Sequence, residues 1–339
     1  ARQLGDVRYG AAADALLPLL TNPEPRVRFF GAEALGRIGY APATDALVEM
    51  LEENNDEDIY LRHAAVLALS RVAKASDMKA LSSHPSKAVR TGAVLVLRRL
   101  SSPDIAVFLK DADEYIVTEA ARAINDDFSI EPALPDLARV LEEDRFTSEA
   151  LLRRAINAAL RVGDENSMNL LISFVRRPNI EPQLIAEGIA ALGTWANPSV
   201  LDRVDGRYRG EVSRDPMIIH TKMNEIMGEF LGNSNTDIVI ASLRAITELK
   251  IEGYDTQVVR MTTSHPDQAV RATALNALAA SGYNDMSKIV AQSLKDPGPE
   301  VRGAAIAVIP ELDFPADQLS AMIAPIFVSG DIREQQELL

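Results

Sequence analysis

The chain has 339 residues, 47% of them apolar, with 35 lysines and arginines against 49 aspartates and glutamates, for a net charge of -14. That apolar content excludes a disordered chain, and the acidic balance opposes the counterion release that drives binding to phosphate backbones, so nucleic acid is not an expected partner. The absence of cysteine excludes a disulfide framework, a zinc ribbon or a thiol nucleophile within these residues, and no apolar run approaches the roughly 18 residues of a membrane span.

Residues 1 to 5, ARQLG, read as the last turn of a helix, and SGDIREQQELL at the far end as a turn and a helix start without a capped finish. The sequence is therefore expected to be a segment of a longer protein. Between these ends one phrase recurs: PEPRVRFFGAEALGRIG, DIYLRHAAVLALSRV, PSKAVRTGAVLVLRRL, PDQAVRATALNALAASG and PGPEVRGAAIAVIPEL. Anchored on the residue after the first aliphatic, the copies fall at Arg28, Arg62, Arg90, Thr118, Arg153, Ala186, Ile240, Arg271 and Arg302, spaced 34, 28, 28, 35, 33, 54, 31 and 31 apart. Thr118, Ala186 and Ile240 mark degenerate copies.

Inside the phrase the apolar positions step by four, four and three, as in Val89, Ala93, Leu97 and Leu100, which is one face of an α-helix. The second of these positions is small in the five clear copies (Gly31, Ala65, Ala93, Ala274, Ala305) and at Ala121 of the Thr118 copy, and admits a close neighbouring helix. A second amphipathic segment precedes each phrase, for example TDALVEMLEE or MSKIVAQSLKD, joined to it by turn-rich text such as SSHPS or KDPGP. Each repeat is thus a helical hairpin. Pro85, Pro266 and Pro299 are expected in first turns, where a missing N–H costs nothing. Strand signals are nearly absent. The fold class expected is all-α: a right-handed α-solenoid of about nine hairpin repeats forming a single array over 1–339, with an insertion at 197–215 inside the one long gap.

The recurring arginines Arg28, Arg62, Arg90, Arg153, Arg271 and Arg302 are expected to be structural, pairing with acids of the adjacent turn such as Asp58 and Glu300. His84 and His265 stand in matched phrases, SSHPSKAVR and TSHPDQAVR, which points to turn chemistry. His63 and His220 have no H-E-x-x-H or similar spacing, so no metal is expected. The acidic stretches around Glu52, Glu53, Asp56, Glu57 and Asp58, and around Glu142, Glu143 and Asp144, lack calcium-loop spacing and read as solvated turns. No phosphate loop, nucleophile elbow or triad context occurs, so neither catalysis nor a cofactor is expected here. The insertion is locally basic and aromatic, with Trp195, Arg203, Arg207, Tyr208, Arg209 and Arg214. These are hot-spot residue types, and they make it the candidate partner-binding segment alongside the concave face of the second helices.

The short period and the V-R-x-x-A-x-x-A-L phrase resemble HEAT repeats of the bilin-lyase-like subtype. The paired His-Glu motifs through which the HEAT-repeat enzyme deoxyhypusine hydroxylase holds iron are missing, and so is the basic, aromatic groove of HEAT-like DNA glycosylases. RYGAAADALLPLLTNPEPRVRFFGAEALGRIG, EDIYLRHAAVLALSRV and LGTWANPSVLDRVDGRYRG together resemble the HEAT-repeat region of large bacterial membrane-bound dehydrogenases of the PVC-type haem-binding family. That resemblance implies a monomeric, non-catalytic scaffold in an exported protein, joining a sugar-dehydrogenase-like propeller to a c-type cytochrome domain, with flanking domains or another protein as partner. Neither a C-x-x-C-H haem motif nor propeller strands lie in this sequence. The alternative is a ligand-binding or lyase-like solenoid using its concave face, for which a deep apolar pocket would speak; a shallow charged groove would speak for the scaffold.

Overall fold

A computed structural model describes residues 1–126, 130–312, 314–329 and 332–337. Among these residues the chain is all helix and turn, apart from one isolated antiparallel bridge between Leu201 and Tyr208. It is an α-solenoid of stacked helical hairpins. The closing helix runs Ile332–Glu337; Gly330 and Asp331, where a turn is expected before it, lie outside the described residues, as do Leu338 and Leu339.

The hairpin Thr44–Asn54 and Ile59–Val72 shows how the text specifies its own turn. The Asp58 carboxylate accepts from the N–H groups of Tyr60 and Leu61, satisfying two donors the first turn leaves orphaned. Buried Asn54 ties the other end of the turn, its amide donating to the Asp58 carbonyl at 3.0 Å while its oxygen accepts the Asp58 N–H at 3.2 Å. Asp58 is therefore a helix cap. The ion pair expected between Arg62 and Asp58 is made instead with Asp56, at 3.2 Å.

The small residues do what their spacing predicts. A Cβ on Gly31 would lie 2.9 Å from Leu19 Cβ in the preceding limb of its own repeat, and one on Gly36 would lie 2.7 Å from Ala68 Cα in the next second helix, so both approaches need glycine. Ala65, Ala93, Ala121, Ala274 and Ala305 are fully buried at the equivalent position. Several first limbs are tighter than α. Pro103–Lys110 is wound entirely as 3-10 helix, and at roughly 2.0 Å per residue its span of about 16 Å equals that of about eleven α-helical residues. That economy fits the 28-residue spacing between Arg90 and Thr118.

Two of the three prolines sit two residues before the first helical position rather than in it. Pro299 opens its helix, but Pro85 and Pro266 precede the capping residues Ser86 and Asp267, whose side chains accept from the first-turn N–H groups. The matched histidines act in the same two turns: Nδ1 of His84 accepts from the Ser86 N–H and Nδ1 of His265 from the Asp267 N–H, each at 3.2 Å.

These turns are also where the repeat arginines act. Arg90 donates through one terminal nitrogen to the carbonyls of His84 and Pro85 and through Nε to Asp111, at 2.7 Å. Arg271 repeats the geometry on the carbonyls of His265 and Pro266 and on Asp296, with two contacts of 2.8 and 2.7 Å to the carboxylate. Each arginine thereby clasps its own turn to the turn of the next repeat. Asp111 stands seven residues before the next anchor, Thr118, and Asp296 six before Arg302. The other repeat arginines do otherwise, Arg28 even though Asp56 stands six residues before the next anchor, Arg62. After Arg153 the matching residues are Asn179 and Ile180, and Arg153 bonds Glu149 of its own helix at 2.7 Å. Arg302 holds the carbonyls of Asp296 and Pro297 rather than pairing with Glu300 as expected, and the Nε of Arg28 is buried without a hydrogen-bond partner among the described residues.

The described chain divides into two compact units, one of residues Ala1–Ser167 with Asp202–Arg207, the other of Met168–Leu201 with Tyr208–Leu339. In the first unit the second helices are Pro25–Ile38, Ile59–Val72, Lys87–Arg99, Glu114–Asn125 and Glu149–Val162. In the second, Pro182–Gly193 packs on Thr236–Leu249 so closely that a Cβ on Gly193 would lie 3.0 Å from Ala245 Cα.

Candidate functional site

Across three successive second helices of the first unit runs a groove of about 910 Å³, open to solvent. The helix Ile59–Val72 supplies Ile59, Arg62, His63 and Val66, spaced so that all four share one face, with Tyr60 beside them. The helix Lys87–Arg99 and its exit supply Leu95, Arg98, Arg99 and Ser101, and the end of Glu114–Asn125 supplies Ala123, Asp126 and, beyond it, Ile130. Val66 and Ile130 are buried in its floor, while Ile59 is 59% and Tyr60 70% exposed at its rim.

The electrostatics run against those of the whole chain. Three arginines and a histidine face one carboxylate among the described lining residues. That carboxylate, Asp126, is already held by Arg154 through contacts of 2.9 and 2.6 Å. Arg98 and Arg99 close the last turn of their helix, where the helix dipole favours cations. The helix C-terminus thus accounts for two of the arginines that line the groove, of which Arg98 already holds a partner.

The insertion has a different character. Trp195 is 1% exposed, which removes it from the contact surface expected of it: its ring is covered by the Arg214 guanidinium, 5.5 Å from the ring centroid, and its carbonyl accepts from Arg214 at 2.6 Å. Burial pulls the Arg214 pKa below the usual arginine value. Two extended stretches then pair loosely, Arg209 N–H donating to the Val200 carbonyl and Arg214 N–H to the Ala196 carbonyl, both at 2.8 Å, with Leu201 opposite Tyr208. Tyr208 is 70% and Leu201 50% exposed. Arg207 lies 3.7 Å from Asp205, and Arg203 and Arg209 also hold partners.

The residue that sequence reasoning missed is Asp202. In the first unit its carboxylate is fully enclosed, accepting from the Val204 and Asp205 N–H groups, from the Asn157 amide at 3.0 Å, and facing Arg161 at 3.7 Å. Asn157 also donates to Asn125, and Arg161 to Glu131, so one buried carboxylate gathers side chains from two repeats. The signal was present as an Asp followed three residues on by Asp-Gly, an Asx-turn pattern. Its buried partner Asn157, however, lies 45 residues away.

Among the described residues no group of three or more acidic or histidine side chains is placed to hold a metal ion, and no helix is long and apolar enough to cross a membrane. The fold and groove define a class of helical-repeat protein with an open, charged face. Residues 1–70 match the HEAT_2 family, HEAT repeats. Repeats of this kind generally mediate protein–protein interaction or scaffolding, and no catalytic family is indicated. Solved structures of similar shape include an engineered protein, at 16% identity and a TM-score of 0.44, covering 91% of this chain and 93% of that one. Another is a homology model of the full-length AP-3 complex in an intermediate open conformation, at 14% identity and a TM-score of 0.47, covering 96% of this chain and 55% of that one. No curated protein matches the chain in sequence.

Proposed function

We propose that this chain is a non-catalytic docking scaffold. The observation that carries this reading is the groove on the second helices, which lies open to solvent across three helices, whereas an enzyme pocket encloses most of its ligand. The repeat clasps support it as well: Arg90 with Asp111 and Arg271 with Asp296 join neighbouring turns, which suits a body whose task is to hold surfaces in register.

In its finer form the proposal is that the chain is one repeat array of an exported redox protein related to the PVC-type haem-binding dehydrogenases, positioning a propeller domain against a c-type cytochrome domain. The insertion offers the contact in that arrangement through exposed Tyr208 with its neighbours Arg207 and Arg209. The test is co-purification of the chain with those two domains, wild type beside an Arg207→Ala, Tyr208→Ala, Arg209→Ala triple variant. Retention by wild type and loss in the variant supports the connector; failure of the wild type to retain either domain overturns it.

A further inference from the structure

A buried donor in the first unit lacks its acceptor, and the other repeats show which acceptor belongs there. The Nε of Arg28 has no hydrogen-bond partner among the described residues. In both clasps it is this atom that reaches the next turn, Nε of Arg90 donating to Asp111 and Nε of Arg271 to Asp296. The residue of equivalent register after Arg28 is Asp56, six before Arg62 as Asp296 is six before Arg302. The helices Pro25–Ile38 and Ile59–Val72 pack on each other, as Lys87–Arg99 and Glu114–Asn125 do. Yet Asp56 pairs with Arg62 of its own repeat, at 3.2 Å, and a buried guanidinium donor is left unsatisfied, which is costly.

Its own turn directs Asp56 away from Arg28. Asn22, His84, Asp111, Asn233, His265 and Asp296 each stand six or seven residues before an anchor, and each accepts the N–H of the residue two further on. In the two clasping turns this bond fixes the aspartate while its carboxylate holds the arginine of the preceding repeat. In the turn 54–58 the corresponding N–H, that of Asp58, is taken instead by the buried Asn54 side chain, at 3.2 Å. Asp56 is left at φ 60, directly after Asn55 at φ 43, whereas Asp111 has an ordinary φ of -59. One left-handed residue beyond a helix end is usual, but a second that carries a side chain is strained.

We propose that the turn 54–58 is a two-state switch in which Arg62 and Arg28 compete for the Asp56 carboxylate. In the observed state Asn54 holds the Asp58 N–H and Asp56 pairs with Arg62. In the other state Asp56 leaves the left-handed region, accepts the Asp58 N–H as the equivalent residues do, and takes the Nε of Arg28, closing a clasp between the first two repeats. Arg62 lines the groove, so the switch also decides whether its guanidinium is held at the turn or released along the groove. The two events are linked: whatever draws Arg62 from Asp56 favours the clasp, and closing the clasp releases Arg62 to the same extent.

Amide hydrogen exchange of the whole chain tests this, with Arg62→Gln removing the competing arginine. If the Arg62–Asp56 pair were only structural, its loss would leave the amides of Pro25–Ile38 exchanging as fast as in wild type, or faster. The switch gives the opposite result: those amides exchange about 5-fold more slowly in Arg62→Gln, because the freed carboxylate closes the clasp on Arg28. The slowing is expected to disappear when Arg62→Gln is combined with Arg28→Gln or with Asp56→Ala. Should Arg62→Gln lose the wild-type circular dichroism, Arg62→Met keeps the apolar stem of the side chain and takes its place. Exchange that is unchanged or faster in the single variant overturns the proposal, and so does slowing that persists in either double variant.

Discussion

Two regions of this molecule carry arginines beside exposed aromatic residues, and they differ in what sets those arginines: a loosely paired insertion in one, the faces of three successive helices in the other. In the insertion, Arg214 lies on Trp195 and bonds its carbonyl, Arg207 approaches Asp205, and Arg203 and Arg209 hold partners too. In the groove, Asp126 is held by Arg154, Arg62 pairs with Asp56 and Arg98 holds a partner too, while Arg99 is exposed. Basicity counted along the sequence marks the insertion, whereas in both regions most of the arginines are already engaged by acceptors the fold packs against them. The difference teaches that an arginine's availability depends on whether an acceptor is packed within reach, which a local count does not record.

The comparison is broken most directly at Trp195. Trp195→Ala is expected to cost about 3–5 kcal/mol, as a buried indole leaves a cavity and uncovers Arg214, while Tyr208→Ala changes stability by less than about 0.5 kcal/mol. Urea unfolding of the two variants decides this; equal effects would mean that Trp195 is not the anchor of the insertion.

Arg271 tests the inward extreme. Its ion pair with Asp296 is nearly enclosed, the two side chains being 10% and 11% exposed, and Arg271→Ala strands a buried carboxylate at about 3 kcal/mol. The same pair gives a pH dependence. Burial raises the pKa of Asp296, but the Arg271 hydrogen bond and the Gly298 N–H outweigh that and hold it below its ordinary 3.8. The pair's stabilisation is thus present above that ordinary value and is lost as pH falls through the depressed folded one. Acid titration of thermal stability should show wild type losing its advantage over Arg271→Ala in that range; an advantage unchanged down to full carboxylate protonation contradicts the pairing.

Asp202→Ala leaves two N–H groups, the Asn157 amide and Arg161 short of an acceptor, for about 2 kcal/mol. Limited proteolysis should then cut between residues 203 and 212 faster than in wild type, and unchanged protection would show that the tip is held some other way. The smallest effects are expected at Arg99→Ala and Arg153→Ala, each within about 0.5 kcal/mol, since one side chain faces outward and the other pairs with a Glu149 carboxylate that is 61% exposed. A large loss at Arg99 would move it from the displayed to the committed class.

The helices and their hairpins were legible in the sequence because each phrase carries a three-and-four apolar rhythm and a turn with its own cap. The small positions at Gly31 and Ala93 were legible for the same reason. The arginine partners were only half legible: proximity in sequence suggests Asp58 and Glu300, while the fold places Asp56 beside Arg62 and reaches Asp111 and Asp296 one repeat onward. The groove was not legible residue by residue, since it depends on which faces of three helices come into line. Trp195 misled because an isolated tryptophan in a basic loop has the composition of a hot spot and, here, the position of a core residue.

The clasps also bear on how the stack comes apart. In a repeat array, stability is a sum of repeat terms and nearest-neighbour terms, and an enclosed arginine clasp adds to the neighbour term of the junction it bridges. Opening that begins at a frayed end should therefore pause at the junctions bridged by Arg90 with Asp111 and by Arg271 with Asp296, so that amides on either side exchange with solvent in separate cooperative blocks.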